Sequence, residues 1–221
     1  MRTTTRTLTT ALLAAPLVAG AAVPATAAPP MRYTDSGTHV ETSGQLLGEV
    51  DGLDGNVHQV FVTADESDDG TYGYGYVDSW ACDDGVTQPY DPETGEELCD
   101  YVGFVELESF DADIEVGKRL TSGVLTGMYS SVVWDCDEVE CWPVPGDASF
   151  DVDVTVTADS TKPATARFME TYRDPATGYS YRGTRTQKFT TGTATGTVGS
   201  ENLVDGWGLV GTYTFRAMEK Y

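Results

Sequence analysis

The chain has 221 residues, of which 35 are acidic and 13 basic, so its formal net charge at pH 7 is −22. Residues 28–161 hold 30 acidic and 3 basic residues, a net charge of −27, whereas residues 162–221 hold 5 acidic and 8 basic residues, a net charge of +3. A surface this acidic repels nucleic acid and anionic lipid, so we expect neither nucleic acid nor a membrane as a partner.

The amino terminus has the three parts of a secretory signal peptide. Arg2 and Arg6 are basic, residues 11–22 are mostly apolar, and Ala25-Thr26-Ala27 supplies small residues at the exit. This order predicts that residues 1–27 direct export and that the mature protein is secreted. The apolar run is too short for a spanning helix, and no later segment is longer.

After the signal peptide, we predict a flexible leader over residues 28–42 and an all-β domain over residues 43–221. No segment keeps a 3.6-residue periodicity, so we expect little or no helix. The pattern predicts about ten short strands in a single antiparallel β-sandwich or β-barrel. The clearest strand is 150–158, in which Phe, Val and Ala alternate with polar residues. The predicted strands are 45–50, 57–64, 71–80, 101–108, 110–116, 150–158, 164–172, 179–189, 193–198 and 207–215.

Four cysteines, Cys82, Cys99, Cys136 and Cys141, are predicted to form disulfides, because an exported chain meets an oxidising compartment. Four cysteines allow three pairings. We favour Cys82 with Cys99 and Cys136 with Cys141, since each pair closes a local polar loop. The spacing does not match a zinc site.

The segment Thr71–Trp80 alternates more regularly than any other. In a strand, its rings and Asp78 share one face, while Gly73, Gly75 and Val77 share the other. The rings either pack in a core or are presented to a ligand. The corresponding segment of the second half, Ala164–Tyr172, replaces most of this ladder, which favours a core role for at least some of the rings.

The two halves of the domain, residues 43–142 and 143–221, share three landmarks in the same order, which predicts an internal duplication. One landmark, Asp-Pro-x-Thr-Gly, is also common turn chemistry. The matching segments are 60–65 with 154–159, 91–95 with 174–178, and 121–127 with 190–196.

Two acidic segments are possible metal sites. Asp65–Gly70 begins like a calcium loop, but its twelfth position is Tyr76 instead of the required Glu, so an acidic hairpin turn is favoured over calcium. The loop Asp135–Cys141 offers four carboxylates between Trp134 and Trp142, and a solvated turn is again the favoured interpretation. We therefore predict no cofactor, with calcium as the alternative.

Carboxylate pairs on single strands raise the question of catalysis. Glu106 with Glu108, or Asp113 with Glu115, would project from one strand face at a separation typical of glycosidases. Solvated strand faces of acidic proteins have the same appearance, and a general acid needs a desolvated site.

The two histidines, His39 and His58, give little support to a serine hydrolase. His39 falls in the predicted leader and His58 at the start of a strand, and no Gly-x-Ser-x-Gly turn is present.

Six basic residues gather between Lys162 and Lys188, against the acidic trend of the chain. Alternation places Arg182 and Lys188 on one face of their strand and Arg185 on the other. We favour pairing of these residues with the acidic first half. The alternative is a site for an anionic ligand, because guanidinium groups bind carboxylate and sulfate.

Two functions from different classes are consistent with these patterns. The favoured one is a secreted, non-catalytic β-module that binds an extracellular glycan, small molecule or protein. The alternative is a secreted hydrolase or lyase that uses a carboxylate pair such as Glu106 and Glu108. In the favoured case the predicted ligand-binding residues are Tyr72, Tyr74, Tyr76 and Trp80.

Overall fold

The computed structural model describes residues 30–136 and 141–220, with only the backbone of Asp135 and Cys136. The predicted signal peptide and residues 137–140 of the acidic loop lie outside the described residues. The strands are β1 (Met31–Leu47), β2 (Val57–Ser67), β3 (Gly70–Cys82), β4 (Cys99–Ser109), β5 (Asp113–Val116), β6 (Ser122–Cys136), β7 (Cys141–Ala158), β8 (Ala164–Arg173), β9 (Ser180–Val198), β10 (Glu201–Asn202) and β11 (Val204–Lys220).

Eight strands form a closed antiparallel ring in the order β1, β2, β3, β4, β6, β7, β9 and β11, and β11 pairs back with β1. Strand β5 pairs with β6, and strands β8 and β10 pair with β9. Because the hydrogen bonding returns to its starting strand, the ring is a β-barrel. The all-β antiparallel prediction is confirmed, and the described helical structure is one 3₁₀ turn at Lys118–Leu120.

Side chains at alternate positions fill the interior of the ring. In β7, Phe150, Val152, Val154 and Val156 are at most 2% exposed, while the residues between them face solvent. This is the alternation predicted for residues 150–158. Burial of each such side chain contributes roughly 1.5–3 kcal/mol, so the interior is the hydrophobic core. Residues that can reach a ligand therefore have to be sought on the outer surface.

The predicted flexible leader is wrong from Met31 onward. Residues 31–42 belong to β1, which pairs with β11 from Met31 to Gln45 and with β2 from Gly37 to Leu47. The polar composition of this segment misled the prediction, because β1 begins outside the ring, where its side chains are exposed. Further along, Val40 and Thr42 enter the core.

A four-stranded sheet, here called the extension, continues beyond one end of the ring. It consists of residues 31–36 of β1, 212–220 of β11, 180–188 of β9 and the whole of β8. It leaves the ring because β9 exchanges β7 for β8 as its neighbour. Nearly every side chain of β8 is exposed, so solvent reaches both faces of the extension there.

The disulfide between Cys82 and Cys99 is confirmed and joins the end of β3 to the start of β4, with Cα atoms 4.5 Å apart. Cys141 is also disulfide-bonded. Its predicted partner, Cys136, is its register neighbour between β6 and β7, and the Cys136 side chain lies outside the described residues.

The repeated Asp-Pro-x-Thr-Gly motif forms the same turn at both places. The amide of Gly95 donates to the Asp91 carbonyl, and that of Gly178 donates to the Asp174 carbonyl. Both glycines have positive φ, 72° and 77°, which glycine adopts without strain. Turn chemistry accounts for this landmark, and internal duplication stays a prediction.

Candidate functional site

Strand β3 places its glycines inside the ring and its tyrosines outside. Gly73 and Gly75 are buried, whereas Tyr72 and Tyr74 are 42% and 36% exposed and Tyr76 is half-buried. The reason is the core residue Tyr129, whose hydroxyl would lie 2.7 Å from a Cβ placed at Gly73. A side chain at that position would take the space that the Tyr129 ring occupies. The rings of Tyr72, Tyr74 and Tyr76 therefore lie outside the core.

Trp80 is separated from the other three rings. It is 4% exposed and packs edge-on against Tyr90 and Tyr101, at centroid distances of 6.3 and 5.7 Å. Tyr90 belongs to the loop that the Cys82–Cys99 disulfide closes, and this loop covers the indole. Trp80 is thus a packing residue of the loop and has almost no surface to offer a ligand.

A row of rings crosses three neighbouring strands on the outer surface. Phe61 of β2 stacks on Tyr76 of β3 at 5.2 Å and 21°, and Tyr76 lies 5.8 Å from Phe104 of β4. Phe104 is 50% exposed. Together with Tyr72 and Tyr74, this row forms what we call the aromatic face. Sequence reasoning missed Phe61 and Phe104, because their place beside Tyr76 depends on the strand register.

A polar groove of about 390 Å³ adjoins one end of this row. Phe61 and Tyr76 form one side of it. Amide and carboxylate side chains from β1, β2, β3, β11 and the disulfide-closed loop form the rest. These groups can both donate hydrogen bonds to a hydroxyl-rich ligand and accept them from it. The polar residues of this amide groove are Gln45, Gln59, Asp78, Gln88 and Asp205.

A larger and more apolar groove of about 490 Å³ adjoins the aromatic face at its Tyr72 end. Phe110 stands at its border, 82% exposed and 5.7 Å from the Tyr72 ring. Asp111 is fixed within it, accepting hydrogen bonds from the Ser109 hydroxyl at 2.9 Å and the Met128 amide at 3.2 Å. The aromatic face therefore lies between two grooves of different polarity.

The predicted carboxylate pair lies on the aromatic face, and aromatic side chains hold both members. The Trp134 indole donates to Glu106 at 2.8 Å, and the Tyr72 hydroxyl donates to Glu108. Burial, the hydrogen bond to Glu108 and its charge raise the pKa of Tyr72 to about 12. Burial and the charge of Glu106 also raise the pKa of Tyr74. Both tyrosines remain protonated donors at neutral pH.

His58 of β2 is fully buried and contacts two other segments, strand β3 and the residue that follows β1. Its Nδ1 lies 2.9 Å from the Ser79 hydroxyl, and its Nε2 lies 3.2 Å from the Gly48 carbonyl. Since a carbonyl only accepts, Nε2 carries the proton and Nδ1 accepts from Ser79. Solvent does not reach this pair, so it joins strands instead of activating a nucleophile.

Burial lowers the pKa of His58. The imidazole is therefore protonated at a lower pH in the folded state than in the unfolded chain. Wild-type stability should therefore decrease from about pH 6.5 downward, until the folded-state pKa is passed. His58→Asn, which keeps an acceptor for Ser79, should cost about 1–2 kcal/mol at pH 7.5 and less at pH 5. Urea unfolding of both proteins at the two pH values measures this. A difference that stays constant or grows on acidification would contradict the assignment.

His39 lies on the side of β1 that points away from the core of the ring. Neighbouring side chains cover it there, so that it is 4% exposed. Its Nε2 lies 2.8 Å from the Gln187 amide nitrogen, and its Nδ1 has no hydrogen-bond partner. The ring covers Gly211, which leaves room for it by having no side chain. Burial lowers the pKa of His39, which favours the neutral imidazole.

The Asp65–Gly70 segment is a tight hairpin, with β2 ending at Ser67 and β3 starting at Gly70, as the favoured interpretation predicted. Within residues 30–136 and 141–220, no group of three or more His, Cys, Asp or Glu side chains is arranged to hold a metal ion. The same residues include no helix with the length and apolarity needed to cross a membrane.

No protein-family model, no curated protein and no solved structure matches this chain.

Proposed function

We propose that this protein is a secreted, non-catalytic module that binds an extracellular glycan on its aromatic face. The observation that carries the proposal is the row Phe61, Tyr76 and Phe104 on the outer surface, which belongs to an aromatic face with a groove at each end. A folded chain gains stability by burying such rings. A row of rings that keeps part of its surface in solvent and is flanked by hydrogen-bonding side chains is typical of a binding surface.

A glycan matches this surface better than a purely apolar ligand does. The C–H face of a pyranose ring packs on an aromatic ring, while its hydroxyls extend sideways. In the amide groove, Gln59 and Gln88 can donate and accept hydrogen bonds, and Asp78 and Asp205 can accept them. The fixed hydroxyl of Tyr72 and the open groove beyond it extend the surface for a second sugar.

Two observations support an extracellular setting. The first 27 residues have the pattern of a secretory signal. The Cys82–Cys99 disulfide persists in oxidising compartments and is uncommon in the cytosol.

Affinity electrophoresis in gels that contain xylan, laminarin or galactomannan tests the proposal. We expect at least one polysaccharide to retard the wild-type protein. Tyr74→Ala and Phe104→Ala should weaken that retardation about tenfold or more, since central aromatic contacts carry much of the binding energy. Tyr172→Ala is the matched control, because Tyr172 is an exposed ring on β8, outside the aromatic face.

Three results would contradict this proposal. They are unchanged migration in every gel, equal effects of Tyr172→Ala and Phe104→Ala, and release of soluble sugar by the wild-type protein. The last result favours the alternative, a secreted hydrolase or lyase. It would be assigned to Glu106 and Glu108 if their double Gln variant lost the activity. The observation in favour of that alternative is that both carboxylates lie on the aromatic face.

A further inference from the structure

One face of the extension carries most of the basic side chains of the folded chain. The register pairs even-numbered residues of β1, β11 and β9 with one another and with odd-numbered residues of β8, so these positions share a face. Seven exposed basic residues lie on it, and we call it the basic face. They are Arg32, Arg167, Arg173, Arg182, Lys188, Arg216 and Lys220.

The acidic residues of the extension lie on the opposite face. Asp35, Glu170 and Glu219 occupy the alternate positions of β1, β8 and β11. Among the described strand residues, Glu66 is the carboxylate at the border of the basic face, and it accepts a hydrogen bond from the Thr38 hydroxyl at 3.1 Å. The positive charge is therefore segregated, not mixed with negative charge.

The expected pairing of the basic cluster with the acidic half is absent from the basic face. Arg182 has Met218 and Thr171 as its cross-strand neighbours, Lys188 has Thr212 and Thr165, and Arg167 has Thr186. None of these neighbours is acidic. Seven exposed cations without facing carboxylates repel one another, and this repulsion is relieved when an anion binds.

We propose that the basic face binds a linear anionic polysaccharide, whose carboxylate or sulfate groups are held by the arginines. Arg32, Arg182 and Arg216 border a shallow hollow of about 290 Å³, which accommodates one such group. Residues 180–188 extend over about 30 Å, so several sugar units fit along the strands. Threonine and serine side chains occupy most of the positions between the cations and supply hydrogen-bond donors.

The composition of this face favours a polysaccharide over the other polyanions. A protein partner requires an apolar centre. The basic face has two large apolar side chains, Met169 and Met218, which is too few to form such a centre. Single-stranded nucleic acid requires rings for base stacking, and the aromatic residues Phe168, Tyr172 and Phe215 occupy the alternate positions, on the opposite face. The basic face is also separate from the aromatic face, which is built on β2, β3 and β4.

Isothermal titration with heparin and with polygalacturonate, at about 50 mM salt, tests this inference. We expect at least one of them to bind, with an affinity that falls as salt increases. The double variant Arg182→Gln with Arg216→Gln should weaken binding about tenfold or more, because each loses charge-assisted hydrogen bonds. Arg185→Gln removes a cation from the opposite face of the same strand and should change the affinity less than about twofold.

A second pair, Arg32→Gln with Arg167→Gln, repeats the test should the first pair fail to fold, as judged by thermal melting. The inference is overturned if neither polysaccharide binds, if Arg185→Gln weakens binding as much as Arg182→Gln with Arg216→Gln does, or if single-stranded oligothymidylate binds more tightly than either polysaccharide. Phe104→Ala should leave heparin and polygalacturonate binding unchanged. The proposed function of the aromatic face and this inference can therefore fail independently.

Discussion

Tyr129→Ala should lower the free energy of unfolding by about 3–5 kcal/mol, the largest effect of a single substitution that we expect. The Tyr129 side chain is fully buried in the ring, and its hydroxyl donates to the Thr63 carbonyl at 2.9 Å. Truncation removes the ring, leaves a cavity and deprives that carbonyl of a partner. Chemical denaturation should show a lower midpoint with an unchanged slope, because the surface exposed on unfolding remains similar.

Gly73 provides the matched test of why the ring fits. A Cβ at Gly73 would lie 2.7 Å from the Tyr129 hydroxyl and 2.9 Å from the Ser109 Cβ, so Gly73→Ala should cost about 1–3 kcal/mol. In a Tyr129→Ala background the same change should cost much less. Gly103→Ala, with no atom within 4 Å of the added Cβ, is the neutral control. Equal costs of Gly73→Ala in both backgrounds would refute a shared space between these residues.

This pair also marks the limit of what the sequence predicts. Alternation in Thr71–Trp80 establishes that the tyrosines share one face and the glycines the other. It does not establish which face points inward, because rings and glycines can each line a core. The choice is made by Tyr129 of β6, which lies more than 50 residues further along the chain and meets Gly73 through the pairing of β3, β4 and β6. The local pattern therefore predicts the strands and the fold class, whereas non-local packing decides which face of a strand points into the core.

The candidate site was predictable to a similar extent. Tyr72, Tyr74 and Tyr76 could be found from alternation alone. Their neighbours Phe61 and Phe104 could not, because the pairing of β2, β3 and β4 brings them together. Trp80 follows the same alternation but is covered by a loop, and loop positions have no sequence periodicity.

The basic face combines both kinds of information. Alternation correctly separated Arg182 and Lys188 from Arg185, whose guanidinium lies over the Tyr213 ring at 5.0 Å on the opposite face. The expected acidic neighbours are absent from the basic face, because β9 pairs with β8 and β11 in this region. On the opposite face, Arg185 shares a hollow with Asp35 and Asp65 of the acidic first half. The net charge of each segment thus identifies the cluster of basic residues, while the order of the strands determines which side chains lie next to them.

Replacing both Cys82 and Cys99 by Ser should lower the free energy of unfolding by about 3 kcal/mol. The disulfide closes a loop of 17 residues, and opening a loop of that size returns entropy to the unfolded chain. In the folded state, the same loop supplies Tyr90, which covers Trp80, and Gln88, which lines the amide groove. The disulfide therefore contributes to both stability and the candidate site.

The effect on the fold should stay local. Asn56 holds the end of β3 independently of the disulfide, donating to the Cys82 carbonyl at 2.9 Å and accepting from the Cys82 amide at 2.8 Å. Trp80 is 4% exposed, whereas the other three tryptophans are 42–54% exposed, so a red shift of the emission reports the uncovering of Trp80. We expect that shift in the Ser double variant together with an intact β-sheet circular dichroism spectrum. Unchanged emission with unchanged stability would show that the loop keeps its position without the disulfide.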